Sequence, residues 1–120
     1  MSRIHAKYRS RLPQLSGGVF LTDAGMETTL IFHEGIDLPH FAAFDLLKDP
    51  QGTVRIKSYY ARYCRFARDA GLGFVLESPT WRANPDWAAK LGYSREALAD
   101  INRKAIQLMT ELRSEYETLK

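Results

Sequence analysis

The chain of 120 residues has the size of one ordinary domain, and its 45% hydrophobic and 26% charged residues are typical of globular proteins. No apolar run approaches the roughly 18 residues that a membrane span requires, and no secretory signal is evident, so we expect no membrane association. The net charge of +3 does not indicate nucleic-acid binding, because four cations, Arg3, Lys7, Arg9 and Arg11, lie in one short segment. We interpret residues 1–15 as a basic, solvated N-terminal arm.

The first structured segment is a short apolar run over residues 19–22 that follows a glycine pair. Such a run predicts a strand buried on both faces, which ends at Asp23. A long connection over residues 26–48 follows, with a helical turn predicted over residues 27–32 and interruptions at Gly35 and Pro39.

A clear helix is predicted from Pro50, with Asp49 as its N-cap and Gly71 closing its far end. Its apolar stripe recurs at alternating three- and four-residue steps and consists of Ile56, Tyr60, Tyr63, Ala67 and Ala70. A second short strand is predicted over residues 74–76, then a loop over residues 81–93. A last amphipathic helix, capped by Ser94, is predicted to continue to Leu119.

The order strand, helix, strand, helix indicates an α/β fold with parallel strands joined by right-handed crossovers. Two such units form only part of a sheet, and a complete (β/α)₈ barrel takes about 250 residues. We therefore expect residues 16–120 to form the first two βα units of a (β/α)₈ TIM barrel, incomplete in this chain. An alternative is a small helical interaction protein in which the two apolar runs are loops.

Both predicted strands are followed by an acid, Asp23 and Glu77. Because functional groups collect at the carboxyl ends of parallel strands, these carboxylates are candidates for binding a substrate ammonium, for acid–base chemistry or for holding a cation. The alternative is that each accepts backbone N–H bonds and caps a loop or helix.

Other chemistry-bearing residues have more ordinary interpretations. His33 and His40 match no short metal-ligand motif and fit surface positions. Trp81 and Trp87 either pack against the fold or cover its mouth. Cys64, the single cysteine, excludes an internal disulfide, favours a cytoplasmic location and is expected to be a packing residue rather than a nucleophile.

Several segments together resemble the homocysteine S-methyltransferase family. Residues 21–30, LTDAGMETTL, are similar to the family's D-G-G-M-G-T-x-L segment, and residues 77–84, ESPTWRAN, to its T-N-T-Y-x-A-N segment. Further similarity lies in residues 35–38, 43–46 and 70–71, and the resemblance covers residues 19–119.

The resemblance implies a zinc-dependent barrel that moves a methyl group from a small-molecule donor to the thiol of homocysteine or a related thiol. It implies substrate-binding roles for two sets of residues. The first comprises Asp23, Ala24, Gly25 and Met26, beside the amino-acid part of the acceptor; the second comprises Glu77 and Thr80 in the second rim segment.

The sequence departs from the family pattern at Ala24, Glu27 and Pro79, which indicates a reshaped acceptor pocket. The family's three zinc cysteines lie in the later part of its barrel, and Cys64 matches none of them. We therefore expect this chain to be truncated, to bind no zinc and to be inactive alone. The alternative function is a non-enzymatic half-barrel module that self-associates or docks to a partner.

Overall fold

The computed structural model describes residues 7–117, which form two strands and a set of helices. The strands are β1 (Phe20–Thr22) and β2 (Gly73–Val75). The helices are α1 (Met26–Thr28), α2 (Pro50–Asp69), α3 (Pro85–Lys90) and α4 (Arg95–Tyr116). A π-helical turn, Thr29–His33, continues α1, and short 3₁₀ helices span Pro13–Leu15, Pro39–Phe41 and Ala43–Lys48.

The two strands pair in parallel, with Phe20 opposite Gly73 and Thr22 opposite Val75. This confirms the predicted α/β arrangement and excludes the helical alternative in which both apolar runs are loops. Each strand lies within one residue of its predicted position. The carboxyl ends of β1 and β2 therefore lie side by side.

The predicted loop over residues 81–93 was wrong in its centre, where α3 forms. The side-chain oxygen of Asn84 accepts a hydrogen bond from the Trp87 N–H at 3.2 Å, and Pro85 takes the first helical position. This is the same capping chemistry that starts α2, where Asp49 Oδ1 accepts from the Gly52 N–H at 2.7 Å. The sequence Asn84-Pro85-Asp86 fits a turn and a helix start equally well, and it starts a helix.

The core lies where α2 and α4 pack on each other and on the 3₁₀ helix Ala43–Lys48. Buried side chains at this junction include Phe44, Ile56, Ile101, Ala105 and Leu112. Ala70 is exposed, contrary to the predicted stripe, because α2 ends at Asp69. The predicted end of the last helix at Leu119 lies outside the described residues, within which α4 extends to Tyr116.

Gly52 allows α2 to approach the preceding 3₁₀ helix closely. A Cβ atom at this position would lie 2.0 Å from the Leu46 carbonyl oxygen, a separation that no real contact reaches. Because the obstructing atom belongs to the backbone, a larger residue would have to push the two helices apart. Glycine is therefore required here for packing.

The first described residues contact the end of α4. The ammonium Nζ of Lys7 lies 2.6 Å from Glu117 Oε1, and the Tyr8 hydroxyl donates to Glu117 Oε2 at 2.7 Å. The remainder of the predicted arm, residues 1–6, lies outside the described residues.

Asp45 is a buried acid, only 5% exposed, in the 3₁₀ helix Ala43–Lys48. Its carboxylate accepts a hydrogen bond from the Tyr93 hydroxyl at 2.7 Å and contacts Lys48 Nζ at 3.0 Å. The Tyr93 phenol thus joins the linker between α3 and α4 to the 3₁₀ helix. Burial, followed by this hydrogen bond, raises the pKa of Tyr93 above its ordinary value, so the phenol stays a donor at neutral pH.

We expect Tyr93→Phe to lower the free energy of unfolding by about 1.5–3 kcal/mol, because it leaves a buried carboxylate with one donor fewer. Urea denaturation followed by circular dichroism measures this loss. Arg103→Ala is the matched control: it removes an exposed ion pair with Asp100 and should change the same quantity by less than about 1 kcal/mol. Equal effects of the two substitutions would contradict a stabilising role for the buried bond.

Candidate functional site

A cleft of about 200 Å³ opens at the carboxyl ends of the two strands. Asp23 follows β1 directly, and Glu77 lies two residues beyond β2, so parallel pairing brings both acids to one side of the fold. The cleft is lined by Asp23, Ala24, Gly25, Met26, Glu27, Tyr60, Glu77, Ser78, Pro79 and Trp81. A cleft of this size suits a small molecule such as an amino acid rather than a polymer.

The lining carries the carboxylates of Asp23, Glu27 and Glu77 and no lysine or arginine. Clustered carboxylates in a concave surface create a negative potential that attracts cations. Within residues 7–117, neither Asp23 nor Glu77 accepts a backbone N–H through its carboxylate, so the capping interpretation has no support there. The arrangement favours a ligand with a positively charged group.

Of the six predicted substrate-binding residues, Asp23, Ala24, Gly25, Met26 and Glu77 border the cleft. Thr80 lies outside the lining, where its hydroxyl is 2.7 Å from the Ser78 hydroxyl. Gly25 takes a positive φ of 64°, which glycine adopts without strain, and this turn leads the chain from β1 into α1. Their roles in substrate binding stay predictions.

Tyrosines of α2 hold the loop after β1. The Tyr59 hydroxyl lies 2.9 Å from Asp23 Oδ2 and 3.0 Å from the Ala24 carbonyl oxygen, and the Tyr63 hydroxyl donates to the same carbonyl at 3.3 Å. Burial, and after it the hydrogen bond to Asp23, raises the pKa of Tyr59 far above its ordinary value. The Tyr59 phenol is therefore a permanent hydrogen-bond donor at neutral pH.

The next residue along α2 holds the loop after β2. The Tyr60 hydroxyl donates to the Glu77 carbonyl oxygen, and its ring packs edge-on against Tyr59 with the centroids 5.5 Å apart. Burial raises the pKa of Tyr60 as well, and the nearby charges of Asp23 and Glu77 add to the shift. Two adjacent residues of one helix thus fix both strand ends.

The hydrogen bonds of these tyrosines were not foreseen in the sequence. The helical spacing places Tyr60 and Tyr63 in the apolar stripe of α2 and gives Tyr59 no particular role. A run of three tyrosines within one turn and a half of a helix is the signal that was available, because buried phenols almost always find a polar partner.

A stacked cluster flanks the cleft. The Arg82 guanidinium lies 4.3 Å from the Trp81 ring centroid and 4.0 Å from that of Trp87, and the His40 ring lies 5.9 Å from Trp87. Trp81 is 68% exposed and lines the cleft, which fits the interpretation that it covers the mouth of the fold better than the interpretation that it packs against the fold. Trp81 therefore forms a wall of the cleft that Arg82 supports from one face.

The residues present do not fit a zinc site. Within residues 7–117, no group of three or more His, Cys, Asp and Glu side chains is arranged to hold a metal ion. Cys64 is buried in α2, and burial raises the pKa of its thiol, which disfavours the thiolate that a metal requires. His33 and His40 are exposed.

The fold and the cleft together define an α/β protein with an acidic cleft at the carboxyl ends of parallel strands. The sequence model of the homocysteine S-methyltransferase family matches residues 20–120, and the chain belongs to that family. No curated protein and no solved structure matches the chain. No helix in the described part of the chain is long and apolar enough to cross a membrane.

We expect the chain to lose stability as the pH rises above the ordinary tyrosine pKa of 10.0. Because the pKa values of Tyr59 and Tyr60 are raised in the folded state, the unfolded state loses its phenol protons at a lower pH. The free energy of unfolding therefore falls by up to about 1.4 kcal/mol per pH unit for each phenol. The stabilisation is complete below that pH and is lost above it. Urea midpoints between about pH 8 and 11 measure the effect, and Tyr59→Phe should flatten the slope. A midpoint that stays constant across this range would contradict the raised pKa values of Tyr59 and Tyr60.

Proposed function

We propose that the acidic cleft binds the amino-acid portion of a thiol acceptor, homocysteine or a close relative. The observation that supports this proposal is that Asp23, Glu27 and Glu77 line one small cleft at the strand ends, in a chain of the homocysteine S-methyltransferase family. The α-ammonium group of an amino acid supplies the positive charge that these carboxylates attract. In this proposal Asp23 and Glu77 bind the ammonium from the two rim segments.

Residues of the β1–α1 turn complete the proposed acceptor site. Met26, 6% exposed, gives the floor of the cleft an apolar surface against which a methylene chain can pack. Glu27 adds a third carboxylate where the family pattern has glycine, and Pro79 replaces an asparagine. These two differences favour an acceptor with more positive charge or a different shape, so a relative of homocysteine belongs in the same test.

The barrel is part of the proposal. In the described part of the chain, β1 and β2 each have one hydrogen-bonded neighbour, so their outer edges are open to further strands. We infer that this chain supplies the acceptor-binding rim of a (β/α)₈ barrel whose other strands come from elsewhere. The same open edges favour the second candidate function, a half-barrel module that pairs with a copy of itself or with a partner.

We also propose that these 120 residues do not transfer a methyl group by themselves. A thiol at neutral pH is mostly protonated and a poor nucleophile, and the three cleft carboxylates oppose a negative charge on sulfur. The chain offers one thiol, Cys64, which is buried and does not line the cleft. The described residues contain no set of ligands for the zinc on which the family depends. A cytoplasmic location stays a prediction.

Calorimetric titration of the chain with L-homocysteine tests the acceptor site. We expect Asp23→Asn and Glu77→Gln each to weaken binding by roughly ten- to hundredfold, the equivalent of about 1.5–3 kcal/mol for a charged hydrogen bond. Asp86→Asn is the matched control, because Asp86 is an exposed acid of α3 outside the cleft lining. Absence of binding by the wild-type chain, or equal losses in all three variants, would refute the proposal.

A parallel assay tests the predicted inactivity. The purified chain is incubated with homocysteine, a sulfonium methyl donor and added zinc, and methionine is measured by mass spectrometry. We expect no methionine above the level without protein, and less than one zinc ion per chain by elemental analysis. Stoichiometric zinc together with catalytic turnover would show that the chain is a complete enzyme.

A further inference from the structure

We propose that Tyr59 is a positioning residue that orients the Asp23 carboxylate for recognition of a ligand ammonium, an inference that rests on the proposed function. The Tyr59 hydroxyl lies 2.9 Å from Asp23 Oδ2, while Oδ1 has no hydrogen-bond donor within the described residues. Asp23 itself lines the cleft. One carboxylate oxygen is thus held by the protein and the other is free for a ligand.

The Tyr59 hydroxyl has a single proton, which decides which of two nearby oxygens accepts its hydrogen bond. The Tyr59 hydroxyl carries one proton but lies within reach of two acceptors, Asp23 Oδ2 and the Ala24 carbonyl oxygen at 3.0 Å. An ionised carboxylate is the stronger acceptor, and the Tyr63 hydroxyl supplies a second donor to the Ala24 carbonyl. Tyr59 therefore donates to Asp23, and Tyr63 satisfies Ala24.

The position of the Tyr59 phenol is fixed by packing. The side chain is 1% exposed, and its ring contacts those of Tyr60 and Tyr63 with centroid distances of 5.5 Å and 5.2 Å. The Tyr60 hydroxyl also donates to the Glu77 carbonyl, so the same group of tyrosines contacts the loop after β2. A donor held in this way limits the orientations of Asp23 before a ligand arrives, which reduces the ordering cost of binding.

The test compares two ligands that differ only in the ammonium group. L-Homocysteine carries it, and 4-mercaptobutanoate has the same chain, thiol and carboxylate without it. Dissociation constants of both are measured by NMR titration for the wild type and for Tyr59→Phe, which keeps the ring and removes the hydroxyl. We expect Tyr59→Phe to weaken homocysteine binding by about three- to tenfold and to leave 4-mercaptobutanoate binding unchanged.

A purely structural role predicts a different result, because a distorted rim would weaken both ligands alike. Tyr93→Phe is the matched control: it removes a buried phenol whose hydroxyl bonds to Asp45, outside the cleft lining, and the ratio of the two dissociation constants should keep its wild-type value. Equal losses for both ligands in Tyr59→Phe, or the same altered ratio in Tyr93→Phe, would overturn the positioning role while leaving the acceptor site intact. No binding of homocysteine by the wild type would overturn the proposed function and this inference together.

A ligand-free measurement applies if Tyr59→Phe fails to fold. The ¹³Cζ resonance of a tyrosine ring responds to the hydrogen bond that its hydroxyl donates. In Asp23→Ala the resonance of Tyr59 should shift, because its hydroxyl loses the ionised acceptor and is left with the weaker Ala24 carbonyl. An unchanged Tyr59 resonance would overturn the proposal.

Discussion

The site depends on the hydrogen bonds that α2 makes to both strand ends. Tyr59 bonds to Asp23 in the loop after β1, and Tyr60 bonds to the Glu77 carbonyl in the loop after β2. Two short strands of three residues each provide few ladder bonds, so the strands alone hold these loops weakly. The helix supplies the missing constraint, because its own position is set by the core that it shares with α4 and the 3₁₀ helix Ala43–Lys48.

This constraint explains how carboxylates can remain close together without pairing to protein cations. Asp23, Glu27 and Glu77 line one cleft with no lysine or arginine among them, although their mutual repulsion favours separation. The buried Tyr59 phenol, which stays protonated at neutral pH, offsets part of that cost by donating a hydrogen bond to Asp23. In the proposed function, the remaining negative potential is directed at the ligand and favours an ammonium group and the protonated form of a thiol.

Sequence patterns predicted the parallel α/β order, the cap at Asp49 and the meeting of the acids at one rim, because strand runs, capping residues and strand-end positions are local signals. They did not predict α3, since Asn84-Pro85-Asp86 serves turns and helix starts alike. They also missed the hydrogen bond of Tyr59 to Asp23, which joins residues far apart in the chain and depends on how α2 packs. For Trp81 they left two interpretations, packing against the fold or covering its mouth, because its contact with Arg82 forms only on folding.

The central claim is that the cleft between the two strand ends binds an amino acid through its ammonium group. Amide chemical-shift mapping of the ¹⁵N-labelled chain during titration with homocysteine tests this claim most directly. The account predicts saturable shifts confined to residues 23–27 and 77–81 and to Tyr59, Tyr60 and Tyr63 of α2. Saturable shifts centred on the exposed residues Arg65 and Arg68 of α2, or on α4, with the segments 23–27 and 77–81 unchanged, would contradict it.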